Sequence, residues 1–309
     1  MASVFLVLWG AATLAFVALR IIPGDPVDVL LGPQAQVSEA VKAGIRSDLG
    51  LDRPVLEQYA TFLGRLVRGD LGESYQLRQP VVEVIGRQLA PTLQLSALAL
   101  VIAVVLALAS SLLVRGRTGR AVASGIELVV LSSPVFWTGL LLLSVFSFQL
   151  GWFPVSGARD AAAIVLPAVT LALPVAALLS QVLRDGVEAA EREPFLTTVR
   201  ARGATPLRES VHHTLRHASV GGVTLAAYLV GSLLGGAVLV ETVFARPGIG
   251  RVTLTAITDR DLPVITGVIL LSALVFVVVN TVVDLVVPLI DPRLRIAAPA
   301  LAARAAVPS

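Results

Sequence analysis

Six apolar runs divide the sequence, and each is about as long as a helix that crosses a bilayer. They cover residues 1–19, 92–114, 121–148, 162–183, 218–244 and 264–290. Crossing roughly 30 Å of hydrocarbon takes about 17–25 residues at 1.5 Å each. An open strand in lipid would leave its N–H and C=O groups unpaired, so the runs are expected to be helices. The pattern predicts an all-α integral membrane protein with six transmembrane helices and both termini on one side.

The polar segments between the runs give the orientation. Arg115, Arg117 and Arg120 follow the second run, and Arg192, Arg200, Arg202, Arg208 and Arg216 follow the fourth. Arg293 and Arg295 follow the sixth, in a tail over 291–309. The loop after the third run has only Arg159, and that after the fifth has Arg246, Arg251 and Arg260. Basic residues gather on the cytoplasmic side of short loops, so both termini are expected inside. The first run lacks a basic leader and an Ala-x-Ala site, so it reads as an uncleaved span and not a signal peptide.

Residues 20–91 form an external segment with its own helical pattern. The two prolines of 21–26 predict a turn. After Pro54, the residues Val55, Leu56, Tyr59, Phe62, Leu63, Leu66 and Val67 recur at helical spacing and predict an amphipathic helix. A shorter helix is expected over 80–89. The segment reads as a small cap on the bundle or as a docking surface for an external partner.

Composition agrees with a membrane class. The chain is 56% hydrophobic and only 15% charged, against about 45–50% and about 25% in soluble domains. It has no cysteine, which removes disulfides and thiolate chemistry. A phosphate-cradling loop needs Gly-Lys-Ser/Thr, and Lys42, the only lysine, precedes Ala43. Any nucleotide-driven work must therefore be done on another chain.

The loop over 184–217 is the most informative polar stretch. Pro194 opens a short helix behind Glu191 and Glu193, with Phe195, Leu196 and Val199 on one side. Gly203 ends it, and Thr205-Pro206 caps a second helix with Leu207, Val211 and Leu215 at four-residue spacing. Two short helices around a fixed glycine make either a docking lever for a soluble partner or an ordinary interfacial hairpin.

Other constellations read as packing. His213 and His217 stand four apart beside His212, but His-Thr-Leu-Arg-His lacks the Glu of the zinc-protease motif, so no metal site is expected. Gly231 and Gly235 form a small-x-x-x-small pattern suited to subunit or bundle packing. Pro134, Pro167 and Pro174 interrupt the third and fourth runs, either lining a pathway or shaping the bundle. Glu127, Asp284 and Glu241 lie toward run ends, so an ion-coupled secondary transporter of small solutes is the weaker alternative. A neutral polar pathway would draw on Ser132, Ser133, Thr138, Gln181, Ser232 and Asn280. No nucleophile–base pair sits together in the runs, so no enzyme is expected.

Several stretches then carry a family resemblance. Leu19–Pro26, Gly69–Gly72, Pro91–Leu93, Ser133–Trp137, Leu150–Gly157, Glu241–Arg251 and Asp291–Arg295 occur in the order and at the spacings of one family's landmarks. The chain resembles the membrane subunit of binding-protein-dependent ABC importers of the dipeptide/oligopeptide permease type. Arg200-Ala-Arg-Gly203 is similar to that family's coupling loop, although Thr197-Thr198-Val199 stands where the superfamily pattern has Glu-Ala-Ala. The family usually opens with a basic amphipathic stretch not seen here, which implies a longer N-terminus.

The resemblance implies a type I ABC importer permease fold in a bacterial inner membrane. It implies a second homologous permease subunit, two ABC ATPase subunits that hold ATP-Mg, and an external substrate-binding protein. Nucleic acid is not expected as a partner, and no cofactor is expected on this chain. Phe195, Leu196, Val199, Arg200, Arg202 and Gly203 would meet the ATPase, and Arg246, Pro247, Gly248 and Gly250 would form an external vestibule loop. The cargo would be a small substrate, most simply a di- or oligopeptide. Glutathione-like peptides and nickel complexes share the scaffold.

Overall fold

The computed structural model describes residues 2–21, 26–31, 37–48, 50–114, 116–157, 160–203, 205, 208–209 and 214–290. These residues are mostly helical, with no strand among them apart from an isolated bridge between Glu73 and Pro80. The helices are α1 (Ala2–Ile21), α2 (Pro26–Leu31), α3 (Glu39–Asp48), α4 (Val55–Val67), α5 (Val81–Leu113) and α6 (Gly116–Ser132). They continue with α7 (Val135–Leu142), α8 (Val165–Glu191), α9 (Phe195–Ala201), α10 (Leu215–Val243), α11 (Ile249–Thr258) and α12 (Leu262–Ile290). Two compact units share them: one holds Met1–Thr92 and Pro247–Val277, the other Leu93–Arg246 and Val278–Ser309.

Within the described residues, α5, α8, α10 and α12 are each long and apolar enough to cross a membrane, and α6 with α7 makes a bent fifth. The apolar stretch of α1 is shorter, Val4–Ala18. Six equal spans are therefore not what the structure holds. The fold class stands, while the count does not reduce to six like elements.

The third apolar run corrects the single span expected over 121–148. Its two helices meet at 106°, and α7 continues as a π-helical turn over Leu143–Gln149. Pro134 has no N–H for the helix ladder and keeps the preceding residue out of the helical region. It sits at φ −59°, ψ 135°, while the Ser133 hydroxyl donates to the Val129 carbonyl at 2.7 Å. The other prolines do not interrupt. Pro167 lies in the first turn of α8, and the helix runs straight through Pro174.

Two boundaries also move. The short helix expected over 80–89 is the opening of α5, which runs on through Pro91. The fourth span continues to Glu191, two turns past its expected end at 183.

The first unit packs an outer helix on α1 and a small core on α5, α11 and α12. Thr13 Oγ1 and the Tyr59 hydroxyl are 2.7 Å apart, and the Phe16 ring lies 5.2 Å from Tyr59 and 5.6 Å from Phe62. No residue of α4 is fully buried, so that helix is half-embedded as an amphipathic surface element. The turn expected over 21–26 falls mostly outside the described residues. Val81, Ile85, Ala256, Val264 and Val268 form the core. Gly267 permits it, because a Cβ there would stand 2.6 Å from Val81 Cγ1. The buried Asp261 carboxylate accepts from the Ser74 hydroxyl and from the Tyr75 and Gln76 amides, at 3.2 and 3.3 Å for the amides. That single side chain fastens the 74–76 turn.

The second unit is built around α8. Thirteen of its residues are buried, more than any partner helix provides, which makes α8 the central post. On α5, Leu95, Ala99, Ala103 and Ala107 recur every four residues in the core with Leu171, Val175, Leu179 and Leu183 of α8 and Leu229, Leu233 and Val240 of α10. Short side chains at helical spacing let backbones approach closely, which replaces the missing hydrophobic drive between helices in lipid.

Candidate functional site

The 192–214 loop leaves α8 at Arg192 and enters α10 at Leu215. Pro194, at φ −59°, is preset for the start of α9. Within α9, Leu196 is buried to 1% exposure, while Phe195 is exposed and Val199 half-buried. Leu196 therefore anchors the helix within its own chain, and Phe195 and Val199 are its less buried apolar side chains. The three side chains expected on one side of the helix lie within an arc of about 100°, and they differ in burial along it.

Gly203 closes α9 in the left-handed region at φ +78°, with its N–H on the Arg200 carbonyl at 2.9 Å. Only a residue without Cβ adopts this conformation freely. Arg200 then turns back on its own loop, its Nε 3.0 Å and its Nη2 2.6 Å from the Glu209 carboxylate. Hydrogen bonding to Glu209 holds the Arg200 guanidinium above its ordinary pKa. Thr205 Oγ1 accepts from the Arg208 amide at 3.4 Å, and the Thr214 hydroxyl donates to the Glu209 carbonyl at 3.0 Å. The loop is thus braced internally, with Arg202 and Gly203 exposed at its tip. Pro206, Leu207, Val211, His212 and His213 lie outside the described residues, as do the side chains of Arg216 and His217. Among the described residues, no group of three His, Cys, Asp or Glu side chains is placed to hold a metal.

The second predicted element divides between the units. At the end of α10, Ala245 takes φ +47°, and the Arg246 amide reaches back to the Glu241 carbonyl at 2.8 Å. Such a six-to-one closure ends a helix without leaving carbonyls orphaned. Arg246 is buried, its Nε without a partner, and burial pushes its guanidinium below the ordinary pKa against the pull of Glu241. It is a buried charge, not one presented at a surface. In the other unit, Gly248 and Gly250 are buried at the start of α11. Pro247 and Gly248 line a cleft of about 210 Å³ with Gln76, Gln88, Arg251 and Asp259.

The glycine pair read as helix packing is open. Gly231 and Gly235 have nothing within 4 Å of an added Cβ, so they do not pack the bundle of this chain. The close approaches come from Gly186 against Ala218, Gly222 against Leu183 and Gly236 against Leu171, with a Cβ at 2.8, 2.6 and 2.8 Å respectively. Sequence reasoning missed these because each faces a residue distant in sequence.

Comparison with known proteins agrees with this architecture. Residues 99–296 match the family described as "Binding-protein-dependent transport system inner membrane component". Residues 1–96 match its N-terminal companion, "Binding-prot-dependent transport system membrane comp, N-term". The chain is 35% identical to the "Di/tripeptide transport system permease protein DppB" of Pseudomonas aeruginosa, covering 93% of this chain and 94% of that one. It is 36% identical to the "Glutathione transport system permease protein GsiC" of Escherichia coli K12, over 92% and 93%. A "Probable peptide ABC transporter permease protein y4tP" of Sinorhizobium fredii is 35% identical over 91% and 92%. Among solved structures, an inward-facing form of the MetNI methionine ABC transporter superposes with a TM-score of 0.57 at 18% identity, covering 67% of this chain and 96% of that one. At that identity the likeness speaks for the fold alone. An all-helical, multi-pass chain that matches over nearly its whole length belongs to the family of inner-membrane permease components of binding-protein-dependent ABC importers.

Proposed function

We propose that this permease carries di- or oligopeptides inward, pairing with a second homologous permease and two ATPase subunits and receiving cargo from an external binding protein. The observation that carries the reading is the braced loop between α8 and α10. It presents Phe195 and the half-buried Val199 on a short helix whose own anchor, Leu196, is buried, with Arg202 and Gly203 exposed just past the helix end. A rigid exposed helix joined to the central post of the bundle suits a soluble motor domain that pushes on it. The peptide cargo is supported by the curated relatives, two named for peptides and one for glutathione.

In this reading the loop and both termini face the cytoplasm, ATP-Mg stays on the ATPase subunits, and Gly231 and Gly235 pack against the second permease. The buried Arg246 supports the loop after α10 from within, while Pro247, Gly248 and Gly250 shape the vestibule on the outer side. The chain itself performs no catalysis.

The test is a mild-detergent pull-down of tagged chain from its native membrane, followed by uptake in vesicles. Recovery of an ABC-type ATPase, a second permease and a binding protein, with ATP-dependent uptake of labelled dialanine or glutathione, is the expected result. A chain that purifies alone and transports under an ion gradient without ATP overturns the reading.

A further inference from the structure

Glu127, Arg184 and Ser110 come together from three helices of the second unit. Arg184 of α8 grips both carboxylate oxygens of Glu127 on α6 and reaches the Ser110 hydroxyl of α5 at 2.9 Å. The two charged side chains are only 11% and 8% exposed. About one turn nearer α9, Arg120 of α6 pairs with Glu188 of α8 at 3.0 Å, and Glu188 also takes Arg192 at 2.6 Å. At the same level, Gly186 and Gly222 bring α8 and α10 into direct contact through Ala218 and Leu183.

This layer lies in the last third of α8, two turns before the loop. A buried ion pair is costly to desolvate and is poor evidence of added stability, since apolar replacements of equal volume are often neutral. Its directional value is larger. A bidentate guanidinium–carboxylate fork fixes both distance and angle between two helices, which a greasy contact does not. A buried, fully engaged ion pair toward the loop end of the helices therefore points to a working role.

We propose that the Glu127–Arg184 fork, with Ser110, is the transmission joint of this permease. It makes a push on α9 move α5 and α6 together with α8, instead of bending α8 alone. Glu127 and Arg184 are positioning residues: they touch neither cargo nor nucleotide. The inference rests on the importer reading above, because the push comes from the ATPase that the loop would meet.

The experiment uses the complete transporter in liposomes, with labelled dialanine and glutathione as probes. It measures ATP hydrolysed per peptide imported, and stimulation of hydrolysis by the loaded binding protein, both per assembled complex. The Glu127→Leu/Arg184→Met double variant is expected to assemble and hydrolyse ATP, while the ATP-per-peptide ratio rises about tenfold. Stimulation by the binding protein should be lost, and the swapped pair Glu127→Arg/Arg184→Glu should restore much of both. A double variant with the wild-type ratio and stimulation overturns the proposal. If the double variant does not assemble, Arg184→Lys decides: it keeps the charge but loses the fork, and an unchanged ratio overturns the proposal while a severalfold rise supports it. If the wild type is stimulated by its binding protein but imports neither probe, the peptide reading fails. Loss of stimulation in the variants then still supports the joint, and its persistence overturns it.

Discussion

Arg200 and Glu209 face each other across the Gly203 turn in a two-pronged fork, with only 14% of the Glu209 side chain exposed. The fork locks the exposed helix to the far side of its own loop, so Arg200 is already engaged within the chain. Glu209→Gln keeps the shape and removes the charge. It should lower retention of the ATPase on the purified complex by about two- to fivefold at moderate salt, the range of an exposed pair. The swapped pair Arg200→Glu/Glu209→Arg should recover most of it. Retention measured by quantitative co-purification across a salt series checks this, and an unaffected Glu209→Gln variant removes the brace from the account.

Gly203 sits at φ +78° with open space around it, so a substitution meets a conformational cost and no clash. Gly203→Asp should cost about 1–2 kcal/mol locally. Gly203→Pro cannot adopt the angle at all. Both variants should insert and assemble yet lose most uptake. Wild-type uptake in either would show that the turn is not needed for coupling.

Glycines facing a neighbour should differ sharply from open ones. Gly186→Ala would place its Cβ 2.8 Å from the Ala218 Cβ and 2.9 Å from its Cα, where backbone must yield. Overpacking of that kind costs about 1–3 kcal/mol. Gly235→Ala meets nothing in this chain, so the isolated subunit should melt as the wild type does. If Gly235→Ala nonetheless weakens capture of the second permease, the open glycine face is a subunit contact. Thermal unfolding in detergent and co-purification separate the two effects.

Asp70 gives a pH-dependent contribution outside the membrane. Hydrogen bonds from Arg65, at 2.8 Å, and from the Gly72 amide hold its carboxyl below the ordinary range. A depressed carboxylate stabilises the fold above its unfolded pKa of about 3.9, and the contribution is lost as pH falls through the lower folded value. Both side chains are about half exposed, so solvent screening limits the effect to under about 1 kcal/mol. Asp70→Asn should therefore reduce the melting temperature slightly near neutrality and lose that difference below about pH 4. A difference that persists at low pH would assign the effect to shape, not charge.

Much of the fold was legible because hydropathy counts carbon along the chain, and a buried span must be mostly carbon. The same signal is blind to direction. The apolar run from 121 to 148 looks unbroken, yet Pro134 turns the backbone by 106° without making the segment more polar. Pro174 carries an identical local warning and leaves α8 intact, since neighbouring helices in a bundle tolerate a missing donor. In the candidate loop, the positions of Pro194 and Gly203 follow from their allowed dihedrals. The burial of Leu196 does not, because it depends on what lies beneath α9. The Glu127–Arg184 pair was hidden for a related reason: 57 positions separate its members, and sequence shows the charges without the contact. The Gly231–Gly235 spacing does not mark the close approaches inside this chain, which fall at Gly186, Gly222 and Gly236 opposite specific side chains.

The first unit is assembled from two stretches far apart in the chain, and this sets a timetable for its birth. Val81 and Ile85 wait for Val264 and Val268, and the 74–76 turn waits for Asp261. At about 5–20 residues per second, a ribosome takes roughly ten to forty seconds to cover that interval. Throughout it the early segment stands in or beside the bilayer with its core unfilled and its turn amides unanswered by the carboxylate that will later hold them. The newborn protein is therefore most exposed to proteases and to wrong partners at its first-made end, and that exposure ends only when the last third emerges.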